Sequence, residues 1–151
     1  MHLINRLTAS EAAYIAGIID GEGTVTLTRT HRGENRRPIV SISSTELPLL
    51  QYVRGVIGAG RITRKARARA HHSPSFAYCL SSQQALSLLR RVSRYLRTYK
   101  SERAHLLLAE YRRVTPRNGR YTAKQHAAKE AFEERFFALS IRAGMSRSPR
   151  P

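Results

Sequence analysis

The sequence predicts an α+β fold, with a four-stranded antiparallel sheet covered on one side by helices. Three observations predict it. Segments of helical and of strand character follow one another in the order α-β-β-α-β-β-α, followed by one or two more helices. Two segments, Thr24 to Thr30 and Pro38 to Ser43, alternate polar and apolar residues as half-buried strands do. A length of 151 residues with 41% apolar content is enough for one domain with a modest core.

The first helix is expected from Ser10, as N-cap before Glu11, to about Asp20. The strand Thr24–Thr30 follows. His31 to Arg37, polar and containing Gly33 and Asn35, turns the chain into the strand Pro38–Ser43. Ser44 or Thr45 caps a second helix, Leu47 to Ile57, which Gly58 and Gly60 close. Strands Arg61–Ala68 and Phe76–Leu80 flank a loop at His71-His72-Ser73-Pro74. From Ser81 or Ser82 to Leu96, the residues Ala85, Leu88, Leu89, Val92 and Leu96 recur at helical spacing. A fourth helix spans Ser101 to Val114, and Pro116-Arg117-Asn118-Gly119 breaks it. Thr122 opens a last helix with Ala128, Phe132, Phe136 and Leu139 on one face. The expected organisation is a single domain over 1–143 and a basic tail over 144–151, rich in Arg, Ser and Pro and expected to be disordered.

Charge narrows the partners. Lys and Arg number 27 against 10 acids, a net charge of +17. No acid occurs between Leu47 and Ser101, while that stretch carries eleven Lys or Arg. Such a surface calls for a polyanion, with nucleic acid the first candidate. The single cysteine, Cys79, excludes an internal disulfide and fits a reducing compartment. No apolar run has the length of a membrane span, and the six His and one Cys show no zinc-ligand spacing. The expectation is a soluble intracellular protein with no membrane partner and no small-molecule cofactor. The abundance of Arg and Ala suggests a GC-rich genome, which favours a prokaryotic cytoplasm over an organelle.

The chemistry concentrates at the end of the first helix. Asp20 is the only Asp of the chain, and Glu22 follows two residues later, each succeeded by Gly. Carboxylates are disfavoured beside the partial negative charge of a helix C-terminus. Together with the unpaired carbonyls of a final turn they make an oxygen-rich pocket suited to a hard divalent cation. On helix one, Ala12 with Ala16 and Ala13 with Gly17 place small residues four apart, which allows close approach of another backbone.

The run Ile15-Ala16-Gly17-Ile18-Ile19-Asp20-Gly21-Glu22-Gly23 resembles the nine-residue motif of the LAGLIDADG homing endonucleases, with Ile for Leu, Gly for Ala and Glu for the final Asp. The layout downstream resembles the family through about Val114. The resemblance implies a metal-dependent endonuclease acting on double-stranded DNA, with Mg2+ or another divalent ion such as Mn2+, while Ca2+ binds without supporting cleavage. One copy of the motif implies a homodimer whose interface is helix one, through Ala12, Ala13, Ala16 and Gly17. It assigns Glu22 to the metal, assisted by the Gly21 carbonyl. Asp20 is either a catalytic acid or a helix-end carboxylate bonded to backbone. Lys100 falls where the family places a Lys that polarises water or stabilises the transition state, and Ser44 near a solvent-orienting polar residue. It implies also an intron-encoded gene and a cut across the minor groove with short 3′ overhangs.

Strand alternation supplies the expected DNA face. With Val25 and Leu27 inward, Thr24, Thr26, Thr28, Thr30 and Arg32 face outward. Arg37, Ile39, Ser41 and Ser43 share that face, as do Arg61, Thr63, Lys65, Arg67 and Arg69, then Ser75, Ala77 and Cys79. Short hydroxyls flanked by Arg suit groove contacts, because Thr offers a donor, an acceptor and a methyl. The rival readings are a non-catalytic binder, whether an RNA maturase or a degenerate DNA-binding relative, and a basic ribosome-associated protein.

Overall fold

A computed structural model of the chain describes residues 3–66 and 69–141. The tail expected at 144–151 and the residue Arg67 lie outside the described residues. The elements are α1 (Ala9–Glu22), β1 (Gly23–Thr28), β2 (Arg37–Ser44), α2 (Leu47–Ile57), β3 (Arg61–Arg64), β4 (Phe76–Ser81), α3 (Ser82–Val92), a 3-10 turn (Ser93–Tyr95), α4 (Tyr99–Glu110) and α5 (Ala123–Ala138). The four strands form one antiparallel sheet in the order β1-β2-β4-β3. The expected α+β architecture is the one observed.

Helix α1 starts earlier and ends later than expected. Its N-cap is Thr8, not Ser10: Thr8 Oγ1 accepts from the Glu11 amide at 3.1 Å, and the Glu11 carboxylate accepts from the Thr8 amide at 3.3 Å. This reciprocal pairing needs a Glu three residues after the cap, which Thr8 has and Ser10 lacks. At the other end the helix runs through Asp20 to Glu22, and Gly23 turns straight into β1. A Cβ on Gly23 would lie 2.7 Å from Ile19 Cα and 2.9 Å from the Ile19 carbonyl, so a side chain there would push β1 off the end of α1.

The inner sheet face carries the core. Val25, Val40, Ile42 and Tyr78 are fully buried and Leu27 and Leu80 nearly so, against Ile15 and Ile19 of α1, Leu50 and Val53 of α2 and Leu88 and Leu89 of α3. The Tyr78 hydroxyl donates to the Ala59 carbonyl at 2.6 Å, which satisfies its one polar atom inside the core. Helix α2 ends at Gly58 in the left-handed region, φ 76°, where Gly carries no steric cost. Its N-cap is Glu46; Ser44, expected as a cap, instead accepts from the Glu46 amide through Oγ at 3.0 Å in a local turn.

Other boundaries moved as well. Strand β3 stops at Arg64 rather than Ala68, with one further bond from the Lys65 amide to the Ser75 carbonyl. Helix α4 starts at Tyr99, two residues before Ser101, because Thr98 caps it through the Lys100 amide. On α5, Phe132 and Phe136 are buried as expected but Ala128 is exposed, and Lys129 takes the inner position. Its stem lies in the core while Nζ donates to Thr115 Oγ1 at 2.6 Å and sits 4.3 Å from the Tyr111 ring centroid.

Candidate active site and nucleic-acid interface

The last turn of α1, the start of α4 and the outer sheet face meet at one corner of the molecule. Asp20 and Glu22 are two residues apart on a helix, so their side chains diverge. Asp20 turns toward the segment before α4: its carboxylate accepts from the Arg97 amide at 2.8 Å, the Thr98 amide at 3.2 Å and the Thr98 hydroxyl at 2.7 Å. Of the two alternatives for Asp20, the geometry is that of a helix-end carboxylate bonded to backbone. Glu22 turns outward, is exposed, and enters no hydrogen bond or ion pair with the described residues.

Lys100 lies in the first turn of α4 and is 8% exposed. Its Nζ donates to the carbonyls of Ile19 at 2.8 Å and Asp20 at 2.9 Å in the last turn of α1, the Ile19 carbonyl also accepting from the Gly23 amide. Burial pushes the Lys100 ammonium below the usual lysine range, and the nearby charges of Asp20 and Glu22 push it back up. Lys100 therefore sits beside the two carboxylates as a cap on α1.

Glu22 and Gly21, both exposed, lie in the same last turn, and a carboxylate with a main-chain carbonyl is an oxygen set that suits a hard divalent cation. Among the described residues no group of three His, Cys, Asp or Glu side chains comes together. A cation held here would thus depend on few protein ligands, as Mg2+ typically does when substrate phosphates and water complete its shell. The donor set fits such an ion.

The outer face of the sheet follows the expected register. Thr24 pairs with Ser41, Ser41 with Cys79 and Cys79 with Arg61, a row across all four strands. Ser43, Ala77 and Thr63 form the next row, and Thr28 pairs with Arg37 at the far end of β1. Thr24, Arg37, Arg61, Thr63 and Lys65 are exposed; Thr26, Thr28 and Ser41 are half-buried. None of the strand residues is acidic. Burial pushes the Cys79 thiol up, against the lowering effect of Arg61 and Arg37, so at neutral pH it stands in this row as an uncharged group. Strand β1 ends at Thr28, which leaves Thr30 and Arg32 exposed in the β1–β2 connection, where alternation no longer assigns a face.

The expected dimer residues divide between two faces. Ala12 and Ala16 are 4% and 1% exposed, packed inside the protomer among Ile15 and Ile19, which corrects their assignment to an interface. Ala13 and Gly17 are exposed, and Gly21 continues the same face one turn on. A Cβ at Gly17 or Gly21 would meet nothing within 4 Å. Beside this stripe the exposed rings of Tyr14 and Tyr52 pack edge to face with centroids 5.8 Å apart.

Residues 9–102 match the model of the LAGLIDADG-like domain. The chain belongs to the LAGLIDADG family. Its fold is similar to that of the homing endonuclease I-CvuI in complex with its target, with a TM-score of 0.69 and 16% identity over 88% of this chain and 83% of that one. It is similar to the archaeal intron-encoded homing endonuclease I-Vdi141I complexed with DNA, with a TM-score of 0.60 and 15% identity over 93% and 87%. Against the meganuclease I-SmaMI bound to uncleaveable DNA the TM-score is 0.66 at 11% identity, covering 86% of this chain but 45% of that one. At these identities the likeness establishes the fold. No curated protein sequence matches the chain.

Two supports of this LAGLIDADG site are absent from the sequence reading. Thr98 carries the Asp20 contact, and a Thr just before a helix is a recognisable cap signal. Arg103, half-buried in α4, donates to the Val25 carbonyl at 2.9 Å and the Leu139 carbonyl at 2.7 Å and stacks 4.7 Å over Phe136. It ties α4 to β1 and α5, and nothing in its local sequence separates it from a surface arginine. Among the described residues no helix is long and apolar enough to cross a membrane.

Proposed function

We propose that this LAGLIDADG protein is a homodimeric, divalent-metal-dependent endonuclease that cuts a long, near-palindromic duplex DNA site. The observation that carries this reading is Glu22, an exposed carboxylate with no hydrogen bond or ion pair to the described chain, at the corner of a strongly basic sheet whose strands carry no acid. A pure binder gains nothing from a carboxylate held toward phosphate. A divalent ion bound there would supply an activated water and charge stabilisation for the leaving oxygen. In this reading Glu22 and the Gly21 carbonyl hold the ion, and Lys100 keeps the end of α1 in place beside it. Asp20 fixes the start of α4, and Ser44 shapes the turn that leads away from β2. The I-CvuI structures, in the presence of 2 mM Ca and of 2 mM Mg, support a divalent ion of this class, and Mg2+ or Mn2+ is the ion proposed for cleavage.

One feature supports the homodimer. The stripe Ala13, Gly17 and Gly21 is exposed and lets a second α1 approach closely. The duplex then lies along the outer sheet faces, with Thr24, Thr26, Thr28, Ser41, Arg37, Arg61, Thr63 and Lys65 toward the grooves and backbone. An intron-encoded gene belongs to the same proposal.

The test is Glu22→Gln, which keeps shape and removes one charge from each pocket. On a duplex selected by the wild type from a random library, cleavage with magnesium or manganese collapses while affinity in calcium holds or rises. A wild type that binds its selected duplex and never cuts it, with Glu22→Gln indistinguishable, establishes instead the non-catalytic intron-associated binder.

A further inference from the structure

A second basic surface lies at the turn between α4 and α5, its arginines all beyond the residues matched to the family. Two adjoining concavities, about 670 and 510 Å³, share Pro116 and Arg117 and together run from the start of α3 to the start of α5. Arg112, Arg117 and Arg120 line them, with the amides Gln83, Asn118 and Gln125. All three arginines are exposed, and no carboxylate lines either concavity.

The amides sharpen the chemistry. Gln83 Oε1 accepts from Arg112 at 2.7 Å, Asn118 Oδ1 from the Arg120 amide at 3.0 Å, and Gln125 Oε1 from the Thr122 amide at 2.9 Å. Each amide oxygen thus already accepts from the chain itself, and each side chain keeps its NH2 group to donate to a ligand. A groove built from guanidinium and NH2 donors is complementary to an anion rich in acceptor oxygens, and arginine forks suit phosphate. Of the rings that line the concavities, Tyr111 is buried and Tyr121 half-buried, so neither offers an open platform on which an unpaired base could stack. The surface fits the backbone of a duplex better than a single strand.

Its position says which duplex. The Tyr111 hydroxyl donates to the Arg36 carbonyl at 3.5 Å, and the next residue, Arg37, pairs with Thr28 at the end of the sheet farthest from Gly23. Gln83 follows two residues after Ser81, which pairs with Ile39 at that same end. We infer that the α4–α5 turn is a second, sequence-independent DNA site, which grips the phosphate backbone of duplex DNA continuing past the outer end of the sheet. The inference rests on the proposal that duplex DNA lies on the sheet.

The experiment compares random-sequence fluorescent duplexes of two lengths, one just spanning the paired sheets and one extended at both ends. Titrations use the wild type, Arg117→Gln with Arg120→Gln, the charge-keeping Arg117→Lys with Arg120→Lys, and Arg61→Gln with Lys65→Gln. The Gln pair at the turn loses affinity, on the order of tenfold at low salt, for the extended duplex only. Its log-log salt slope becomes shallower by about 1 per lost phosphate contact. The Lys pair retains most of the slope, and the sheet pair weakens on both lengths. If the Gln pair at the turn binds both duplexes like wild type while the sheet pair fails, this inference alone is overturned. A wild type that binds neither duplex overturns the DNA reading and this one together.

Discussion

The Asp20 carboxylate is bonded to the start of α4, and the Lys100 ammonium is bonded to the end of α1. Asp20 accepts from the Arg97 and Thr98 amides; Lys100 donates to the Ile19 and Asp20 carbonyls. Each residue is misplaced on its own helix, an acid at a C-terminus and a cation at an N-terminus, and each is correctly placed against the dipole of the other. The exchange accounts for Asp20 without recourse to a metal. It also leaves Glu22 as the one carboxylate of the motif that makes no hydrogen bond to the described residues.

Asp20→Ala should therefore act first on stability. It removes three hydrogen bonds to a charged acceptor and costs about 1–3 kcal/mol in chemical unfolding. Thr98→Ala, which loses the hydroxyl bond and the α4 cap, should cost about 1 kcal/mol. At a temperature where both variants are folded, each should keep measurable cleavage while Glu22→Gln keeps none. Loss of cleavage in folded Asp20→Ala with Thr98→Ala fully active would place Asp20 in the chemistry after all.

Lys100 carries a pH signature. Its folded ammonium is held below the ordinary lysine range, chiefly by burial, so between the lowered value and the ordinary one the unfolded chain binds more protons than the folded one. Stability then rises with pH in that window, because neutralising the amine relieves the cost of a buried charge while its N–H groups still donate to both carbonyls. Lys100→Met has no such group. The difference in Tm, wild type minus Lys100→Met, should thus move in favour of wild type as pH climbs from neutral toward 10.5. A difference that is flat or falls over that range would mean that the ammonium is not desolvated.

The fold was legible where one face of an element is dry and the other wet. In β1, Val25 and Leu27 between threonines leave only one orientation, and the observed burial follows it. Helix α1 defeats the same reasoning. Its residues from Ala12 to Ile19 are small or apolar on every side, so Ala12 with Ala16 and Ala13 with Gly17 look alike until packing buries the first pair and exposes the second. The acids of the motif were visible in the sequence, but their division of labour was not. It depends on Thr98, which lies 78 residues from Asp20 and has no reason to be read with it. The Thr8 cap, by contrast, is legible in the sequence, because Thr8-Ala9-Ser10-Glu11 has the spacing of a capping box.

The sheet register yields a paired prediction. Leu27→Ala opens a cavity in the core and should cost about 2–5 kcal/mol of stability. Thr28→Ala, on the opposite face, should change stability little and base preference at one position of each half-site, by about 1–3 kcal/mol if a good contact is lost. Denaturant unfolding and a selected-site specificity profile measure the two effects. A profile unmoved by changes at Thr24, Thr28 and Lys65 would take DNA off this face.

The dimer prediction separates folding from assembly at one residue. Gly17 is exposed in the middle of α1, and a Cβ there meets no atom within 4 Å, so Leu is accommodated in the protomer. Replacing a mid-helix Gly also favours the helix, by up to about 1 kcal/mol. Gly17→Leu should therefore leave the protomer as stable as wild type or more so. Between two copies of α1 the same isobutyl group forces the backbones apart and removes the close approach that Ala13, Gly17 and Gly21 permit. Sedimentation should show a wild-type dimer and a Gly17→Leu monomer, and double-strand cleavage should fall with assembly, since each copy supplies one Glu22. Ala16→Leu is the control: Ala16 is 1% exposed inside the protomer, so its enlargement should lower stability by about 1–3 kcal/mol through overpacking. A Gly17→Leu protein that remains dimeric on its duplex would move the interface away from α1.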